Sequence, residues 1–567
     1  MKILGIYPYI HISSAALLIN GKIVSAAQEE RFNRRKMSTE FPSQSISWCL
    51  KQNNLKFKDL DYIVVPWNPQ KNINHVSKRW VNELRWRGEL LTNIPGNLMR
   101  MINEKEDDKI SMNWGKNKLV YLDHHLCHAA FGYFQSSFAD ADILTIDGHG
   151  ENETCFLGSA KNGNITKLDQ ILYPHSVGLF YGTFTNFLGF KPDSDEWKVM
   201  ALSSYSTKKN IYDDKIKKLY SFYKNKFELD LSYFNFYTFD RNKNFFSSKF
   251  TELLGEERIG NTKLSKKHYL IAGAMQRHFE TIVIRLLKLL KKKGKSNNLI
   301  LGGGAAMNCV FNGKLDNLKI YKDSHISYAP DDSGVAIGAA LFFYKKLSAK
   351  KHKPKEVKQC YYGPSFSNNK ILNILNQSKI DYLIPKNINH YIAKEISKGK
   401  LVGWFQGGME FGHRALGNRS ILADPSDENI KKTINLAVKF RESFRPFAPA
   451  IMKEHVSNIM DIPKKRNVYF MERAYKFKKK WRKIVPGVCH ADNTGRVQTV
   501  DKTSNLKFYN LINEFYKITK IPLLLNTSFN LNGEPIVMSP TDAIRTFYSC
   551  GLDILVLNNY VIHKKKT

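Results

Sequence analysis

Leu299-Ile300-Leu301-Gly302-Gly303-Gly304-Ala305-Ala306-Met307-Asn308 is the stretch on which the fold turns. Its aliphatic run reads as a short buried strand, the glycines break it, and the alanines that follow read as the start of a helix. A strand passing into a helix is the repeating unit of an α/β sheet, and backbone N–H groups at the junction can meet a phosphate or the edge of a nucleotide. The glycine run is neither G-x-G-x-x-G nor a Walker loop, which excludes a Rossmann or P-loop assignment. Outward from it, residues 1–345 alternate short β-rich runs with helical stretches, the pattern of an α/β domain. Residues 346–358 are charged and polar, contain Pro354, and read as a linker. Residues 359–567 make a second α/β or α+β unit, with strand–loop patterns at 401–405 and 521–525.

The amino end loosely imitates a secretion signal, with Lys2, an apolar stretch and Ser25-Ala26-Ala27. A hairpin accounts for it better: two β-rich runs flank Asn20-Gly21, a type I′ turn signal. Seven cysteines lie far apart with no C-x-x-C pair, as expected of reduced thiols in a cytoplasmic protein rather than a disulfide framework. The longest apolar run, residues 299–311, is shorter than a membrane helix needs and is broken by glycine, so no membrane partner is expected.

The 567 residues include 87 Lys+Arg against 51 Asp+Glu, a formal charge of +36. Codon bias can enrich lysine, but it does not explain why the acids stay so few. A surplus of this size makes a positive field that attracts polyanions. Basic clusters fall at residues 78–87, 208–226, 288–295, 345–358 and 464–483. In the last, Tyr469, Phe470, Tyr475, Phe477 and Trp481 interleave with base, as nucleic-acid surfaces do. The period-two spacing there is better read as two ordinary strands.

Further stretches carry chemistry. In Asp123-His124-His125-Leu126-Cys127-His128 the outer histidines are four apart, so on a helix both imidazoles leave one face and can grip one metal ion. Position 125 is His rather than Glu, which argues against a metalloprotease. A β run ends in Asp147 at a glycine turn, and Asp331-Asp332-Ser333-Gly334 offers another turn-borne acid. In the second unit, Arg414 and Arg419 lie among glycines, and Lys439, Arg441 and Arg445 alternate with aromatics, which suggests a phosphate pocket. Asn526 and Ser528 end a buried strand in side-chain donors.

Together these stretches resemble the O-carbamoyltransferase family that includes NodU and TobZ. The resemblance runs, in the family's order, through DHHLCHAAFGYFQSSF (123–138), LGFKPDSDEWKVMAL (188–202), LGGGAAMNCVFNGKL (301–315), APDDSGVAIGAAL (329–341), GWFQGGMEFGHRALGNRSILADP (403–425), KFRESFRPFAPAI (439–451), GRVQTV (495–500) and LLLNTSFNLNGEPIV (523–537). It implies an α/β chain with an actin/sugar-kinase-like (ASKHA) domain over 1–345 and a YrdC-like α/β domain over 359–567.

The resemblance also implies a reaction. The YrdC-like domain would use Mg-ATP and carbamoyl phosphate to make carbamoyl adenylate, and the first domain would pass the carbamoyl group to an acceptor hydroxyl. A divalent ion, Fe2+ in such families, would fall on His124, His128, Asp147 and Asp332, a donor set that suits Fe(II) or Zn(II) better than Ca(II). His11 would be the general base, although Ile12 stands where the family usually has Asp. Gly303, Gly304 and Asn308 would hold the adenylate. Lys439 and Arg445 would bind carbamoyl phosphate or ATP, with Arg414, Arg419, Arg441, Arg496, Asn526 and Ser528 around them. A homodimer is left open.

Family acceptors, sugars and antibiotic hydroxyls among them, do not require a charge of +36. The leading acceptor is therefore a hydroxymethyl pyrimidine, such as 5-hydroxymethylcytosine, in DNA, the setting being a bacterial or phage-infected cytoplasm. The alternative is a small sugar, antibiotic or nodulation-factor-like hydroxyl. A DNA-binding protein that kept the fold and lost catalysis is disfavoured, because binding alone needs no pair of distant polar sites.

Overall fold

The first strand sets the pattern for the amino-terminal half. In the computed structural model, which describes residues 1–73, 89–103, 118–224, 226–238, 244–260, 262–348, 352–464 and 466–564, β1 (Lys2–Tyr7) pairs antiparallel with β2 (Ser14–Ile19), and β2 with β3 (Lys22–Gln28). The β2–β3 turn is the expected Asn20-Gly21, with both residues at positive φ (50° and 81°), as a type I′ turn requires. On its other edge β1 is joined in parallel by β4 (Tyr62–Val65), and β4 by β5 (Leu119–Tyr121).

The same topology then recurs. β6 (Asp140–Ile146), β7 (Glu153–Lys161) and β8 (Asn164–Leu172) form an antiparallel meander. A two-stranded hairpin, β9 (Tyr220–Tyr223) and β10 (Lys226–Leu229), lies outside the main sheets. β11 (Asn298–Gly302) joins β6 in parallel and β12 (Asp323–Ile326) joins β11. Both five-stranded sheets thus have the strand order 3-2-1-4-5, one topology used twice.

Helices follow corresponding strands in the two repeats. α1 (His124–Phe134) follows β5, and after α2 (Val177–Phe187) and the 28-residue α3 (Lys266–Lys293), α4 (Val335–Leu347) follows β12. α1 and α4 pack together so closely that a Cβ at Gly338 would stand 2.0 Å from the Cys127 carbonyl oxygen, so only glycine fits. The glycine-rich turn after β11 departs from the sequence expectation: it passes into the 3-10 turn Gly304–Met307 instead of an α-helix. Helix-terminus anion binding therefore does not apply there.

The chain divides into two compact units, the first being residues 1–29, 39–308 and 314–356. The second is residues 30–38, 309–313 and 357–567, so the chain enters it twice before its main run. Its mixed seven-stranded sheet has the order β18-β15-β19-β14-β13-β20-β21. These strands are β13 (Val402–Phe405), β14 (Arg419–Ala423), β15 (Ala448–Met452), β18 (Gln498–Val500), β19 (Leu523–Ser528), β20 (Ile554–Leu557) and β21 (Tyr560–His563). The ribbon β16 (Ala474–Lys476) with β17 (Thr494–Arg496) stands apart from it. α5 (Ile388–Ser397) and α6 (Leu506–Thr519) pack on each other, and α7 (Pro540–Tyr548) starts at a Ser539/Asp542 capping box. One apolar core, including Trp404, Ile421, Phe477, Phe515 and Leu524, underlies this unit.

Residues 464–483 make one short strand rather than two. Tyr469 and Phe470 lie in a turn, and the basic tail becomes the helix Lys479–Ile484. Tyr469, Phe470, Tyr475 and Phe477 are buried, so they serve the core and cannot stack on bases. Residues 78–87 lie outside the described residues. Among the described residues no disulfide joins any of the cysteines, and no helix is long and apolar enough to cross a membrane.

Candidate metal centre and anion pocket

α1 begins at His124, and its i, i+4 spacing sets the His128 ring edge-to-face with that of His124, centroids 4.6 Å apart, on one buried face. The two Nε2 atoms are 3.1 Å apart. Asp147, immediately after β6, brings Oδ2 to 2.9 Å from His128 Nε2 and 3.7 Å from His124 Nε2. Asp332, in the 3-10 turn before α4, brings Oδ1 to 3.3 and 3.4 Å from the same two nitrogens. All four donor atoms lie within 4.8 Å of one another. The ligands thus arise where corresponding strands of the two repeats end.

The surroundings hold these side chains in one pose. His124 Nδ1 lies 3.2 Å from the Pro66 carbonyl oxygen, which assigns the proton to Nδ1 and leaves the Nε2 lone pair facing the carboxylates. The His124 ring lies between Tyr7 (centroids 5.7 Å apart) and Trp67 (5.3 Å). Glu151 Oε1 accepts the backbone N–H of His124 at 3.0 Å and that of Asn68 at 2.7 Å, so a buried carboxylate pins the first turn of α1.

Burial alone would push the His124 and His128 imidazoles down. The two aspartates outweigh it and hold both above the ordinary histidine range, His124 well above. Burial conversely raises Asp332, but His124 and His128 outweigh it and hold its carboxyl well below the usual range. Asp147 Oδ2 is buried and no donor meets it in hydrogen-bonding geometry, although His128 Nε2 is close. Two imidazole lone pairs and two carboxylate oxygens facing one point with an orphaned oxygen among them are the donor set of a divalent transition metal, and the residues fit one.

Gly303 and Gly304 cross beside this centre. Gly303 has φ 81°, and a Cβ there would stand 2.1 Å from the Ile146 carbonyl oxygen; one on Gly304 would stand 3.0 Å from Asp147 Oδ1. Asn308 is engaged with the core: its amide pairs reciprocally with that of Gln276 on α3, at 2.9 and 3.1 Å. His11 sits half-buried in the β1–β2 loop, where Tyr9 and Ile12 both have positive φ (68° and 48°). Among the described residues no contact joins His11 to the four ligands. Tyr7, Trp67 and Glu151 belong to this site, yet in the sequence they are lone residues at strand ends and turns with no spacing to announce them.

The second unit holds a group of buried and half-buried cations. Lys439 ends a π-helical turn, Asn435–Lys439, and its Nζ donates to the carbonyl oxygens of Ser528 and Asn530 and to Asn530 Oδ1, the last at 2.7 Å. Burial, then Arg441 and Arg445, push its ammonium well below the ordinary lysine range. Arg441 donates to Asn435 Oδ1 at 2.7 Å and is lowered by burial and by Arg445, with Arg496 also bearing on it. Arg445 reaches Asn532 Oδ1 at 3.2 Å and Glu442 at 3.3 Å. Arg496 is half-buried, and it and Arg414 both bear on the buried Cys309 thiol. Cations concentrated in this way, with Glu442 beside Arg445, make a cluster whose chemistry would suit a polyanion.

Two expected members do not belong to it. The Arg419 guanidinium is consumed by the carbonyl oxygens of Gln406, Asn418, Pro364 and Gly407 and lies 3.6 Å from the Phe405 ring centroid, so it pins the sheet. Asn526 donates inward to Ala415 O and Gln498 Oε1. Glu410, which no motif singled out, shapes the neighbouring loop. Its Oε1 accepts the backbone N–H groups of Leu416, Asn418 and Arg419 at 2.8, 2.8 and 3.1 Å. His490, also unforeseen, is pushed down to about 4 by burial, with Asp492 opposing and Arg496 assisting.

Comparison with known proteins finds two family models in sequence: Carbamoyltransferase N-terminus over residues 2–341 and Carbamoyltransferase C-terminus over 393–564. The chain is 35% identical to an uncharacterized protein of Synechocystis sp., over 99% of this chain and 96% of that one. It is 33% identical to an uncharacterized protein of Methanocaldococcus jannaschii, over 98% of each. It is 31% identical to Nodulation protein NolNO of Sinorhizobium fredii, over 98% of this chain and 79% of that one.

Proposed function

The chain belongs to the carbamoyltransferase family and is an O-carbamoyltransferase, and on that footing we propose that it works through carbamoyl adenylate and delivers the carbamoyl group to a hydroxymethyl pyrimidine in DNA. The observation that carries the two-step chemistry is the pairing of a four-ligand centre in one unit with a cluster of buried and half-buried cations in the other.

At the cation cluster, carbamoyl phosphate is split by water into carbamate and phosphate. A carbamate oxygen then attacks the α-phosphorus of Mg-ATP and pyrophosphate leaves. Lys439, Arg441, Arg445 and Arg496 neutralise the phosphates, and Lys439 is held for this by the carbonyl groups of Ser528 and Asn530. Arg414 borders the same anions.

At the first unit, Gly303 and Gly304 let the adenylate approach Asp147 without a side chain between. Fe2+ or another divalent ion held by His124, His128, Asp147 and Asp332 would neutralise charge on the adenylate phosphate. His11 takes the proton of the acceptor hydroxyl as its oxygen attacks the carbamoyl carbon, and AMP leaves. The DNA acceptor is supported by the charge of +36, which a small neutral acceptor does not call for.

The test is mass spectrometry of nucleosides after incubation with Mg-ATP, carbamoyl phosphate and DNA containing 5-hydroxymethylcytosine. A gain of one carbamoyl group, lost in His124→Ala and in Lys439→Ala, is expected. Pyrophosphate release without modified nucleoside would return the acceptor to small-molecule hydroxyls. Absence of pyrophosphate release would overturn the adenylate route.

A further inference from the structure

The outer face of α3 and the β9–β10 hairpin form one continuous cationic surface on the first unit. Arg285, Lys288 and Lys292 are exposed and follow one another at three and four residues, so they line one side of α3. The hairpin is keyed to that side. Phe222 lies under the Arg285 guanidinium, 4.1 Å from centroid to carbon, and the Tyr220 and His278 rings are 5.7 Å apart. Lys293, at the end of α3, pairs with Asp169 at 2.8 Å, and Lys226, on the second hairpin strand, also bears on that carboxylate.

The exposed groups here are of two kinds. Lys218, Lys224 and Lys226 add to the three helix cations, and Tyr223 is 59% exposed at the hairpin tip with the Lys224 ammonium 5.2 Å from its ring centroid. The nearby acids are otherwise engaged or set back: Asp169 takes Lys293 at 2.8 Å, Asp214 takes Lys209 at 3.1 Å, and Glu228 is half-buried. Among the described residues no ion pair joins a carboxylate to Arg285, Lys288, Lys292, Lys218 or Lys224, and Lys226 bears only at longer range on Asp169, which Lys293 already holds. A merely solvated lysine-rich surface would leave its acids interspersed with its bases. Here the few nearby acids are engaged elsewhere or half-buried, and the face carries an exposed aromatic ring.

We propose that this face is where double-stranded DNA docks, with the six cations on its phosphates and Tyr223 against a sugar or an unstacked base. The inference rests on the DNA-acceptor reading and adds to it a surface. Arg285 to Lys292 spans about 10 Å of helix, a length over which duplex DNA carries about six charges. Backbone contacts of this kind carry no sequence preference, which suits an enzyme that addresses one modified base wherever it occurs.

The experiment measures binding of the full chain to a fluorescent duplex across a salt series, with the duplex containing 5-hydroxymethylcytosine or cytosine. The parent is expected to show a slope of log K against log salt near −5, corresponding to about six phosphate contacts. Arg285→Glu/Lys288→Glu/Lys292→Glu is expected to reduce that slope by about three and to weaken binding on the order of a hundredfold in 0.1 M salt. Pyrophosphate release from ATP should stay at the parent's rate, which also shows that the variant is folded. Tyr223→Ala should weaken binding about tenfold with the slope unchanged.

An unchanged affinity and slope in the triple variant, with DNA still carbamoylated by the parent, would overturn the surface and leave the acceptor reading standing. A reduced slope in a protein whose parent transfers no carbamoyl group to DNA would uphold the surface and overturn the acceptor. Lys479→Glu/Lys480→Glu/Lys483→Glu, on the second unit, is the control: an equal loss there would assign binding to bulk charge and overturn the surface. Absence of parent binding to duplex, or tighter binding to phosphatidylserine vesicles than to duplex, would overturn it as well.

Discussion

The Tyr7 hydroxyl donates to Asp332 Oδ2 at 2.7 Å, joining the last residue of the first strand to a carboxylate 325 positions later. Tyr7 ends β1 and Asp147 follows β6, so the same strand of each repeat contributes one residue to the centre. The bond occupies one Asp332 oxygen and leaves Oδ1 aimed at the two imidazoles. Tyr7→Phe is therefore expected to keep the fold, at about 1 kcal/mol in stability. It should lower affinity for a divalent transition metal ten- to a hundredfold, the usual effect of losing a group that orients a ligand. Metal titration followed by calorimetry measures both.

The ammonium of Lys439 is held by carbonyl oxygens among like charges, so an anion should relieve it. ATP with carbamoyl phosphate should raise the melting temperature of the parent; saturation at a hundred times Kd is worth about 2.7 kcal/mol. In Lys439→Met that rise should vanish and pyrophosphate release should fall two to three orders of magnitude. A thermal-shift series and a pyrophosphate assay check the pair, and a retained shift with lost turnover would confine Lys439 to the chemical step.

Glu410 accepts three backbone N–H groups through one oxygen. Glu410→Ala leaves buried donors unmet, and a loss on the order of 2–4 kcal/mol is expected from denaturant unfolding. Because the loop carrying Arg414 is what these bonds shape, the KM for ATP should rise together with the loss of stability.

Glu196 gives a pH test. Burial, with Asp193 adding to it, pushes its carboxyl up to about 8. A carboxyl raised in the folded state binds its proton more tightly there than in the unfolded chain. Its stability contribution is thus fully present below about pH 4.5 and is lost as pH rises to about 8. Glu196→Gln should consequently be neutral at pH 4 and more stable than the parent at pH 9, by about 1 kcal/mol or more. Equal unfolding midpoints at the two pH values would refute this.

The histidine pair was legible from spacing, because four residues on a helix place two rings on one face whatever the rest of the chain does. The amino-terminal hairpin was legible from Asn20-Gly21 because φ > 0 at both positions is a local requirement. The glycine-rich turn was only half legible: its strand was clear, but neither the 3-10 turn that follows nor the approach of Gly303 to the Ile146 carbonyl could be read from local pattern. Arg419 looked like an anion ligand because arginine among glycines has the same local pattern whether its fork meets phosphate or backbone oxygens. Only the positions of Gln406, Pro364 and Gly407 decided it.

What the sequence determined by itself were the properties that act over a few residues or over the whole chain: periodicity, turn chemistry, i, i+4 spacing and net charge. Tertiary structure alone decided what depends on groups distant in sequence meeting. Tyr7 against Asp332, Glu151 under His124, Glu410 under its loop and Phe222 under Arg285 are each single residues whose partners lie from 6 to 325 positions away. A lone side chain carries no period, so its role becomes defined only when folding removes water from between it and its partner and the remaining polar groups must satisfy one another.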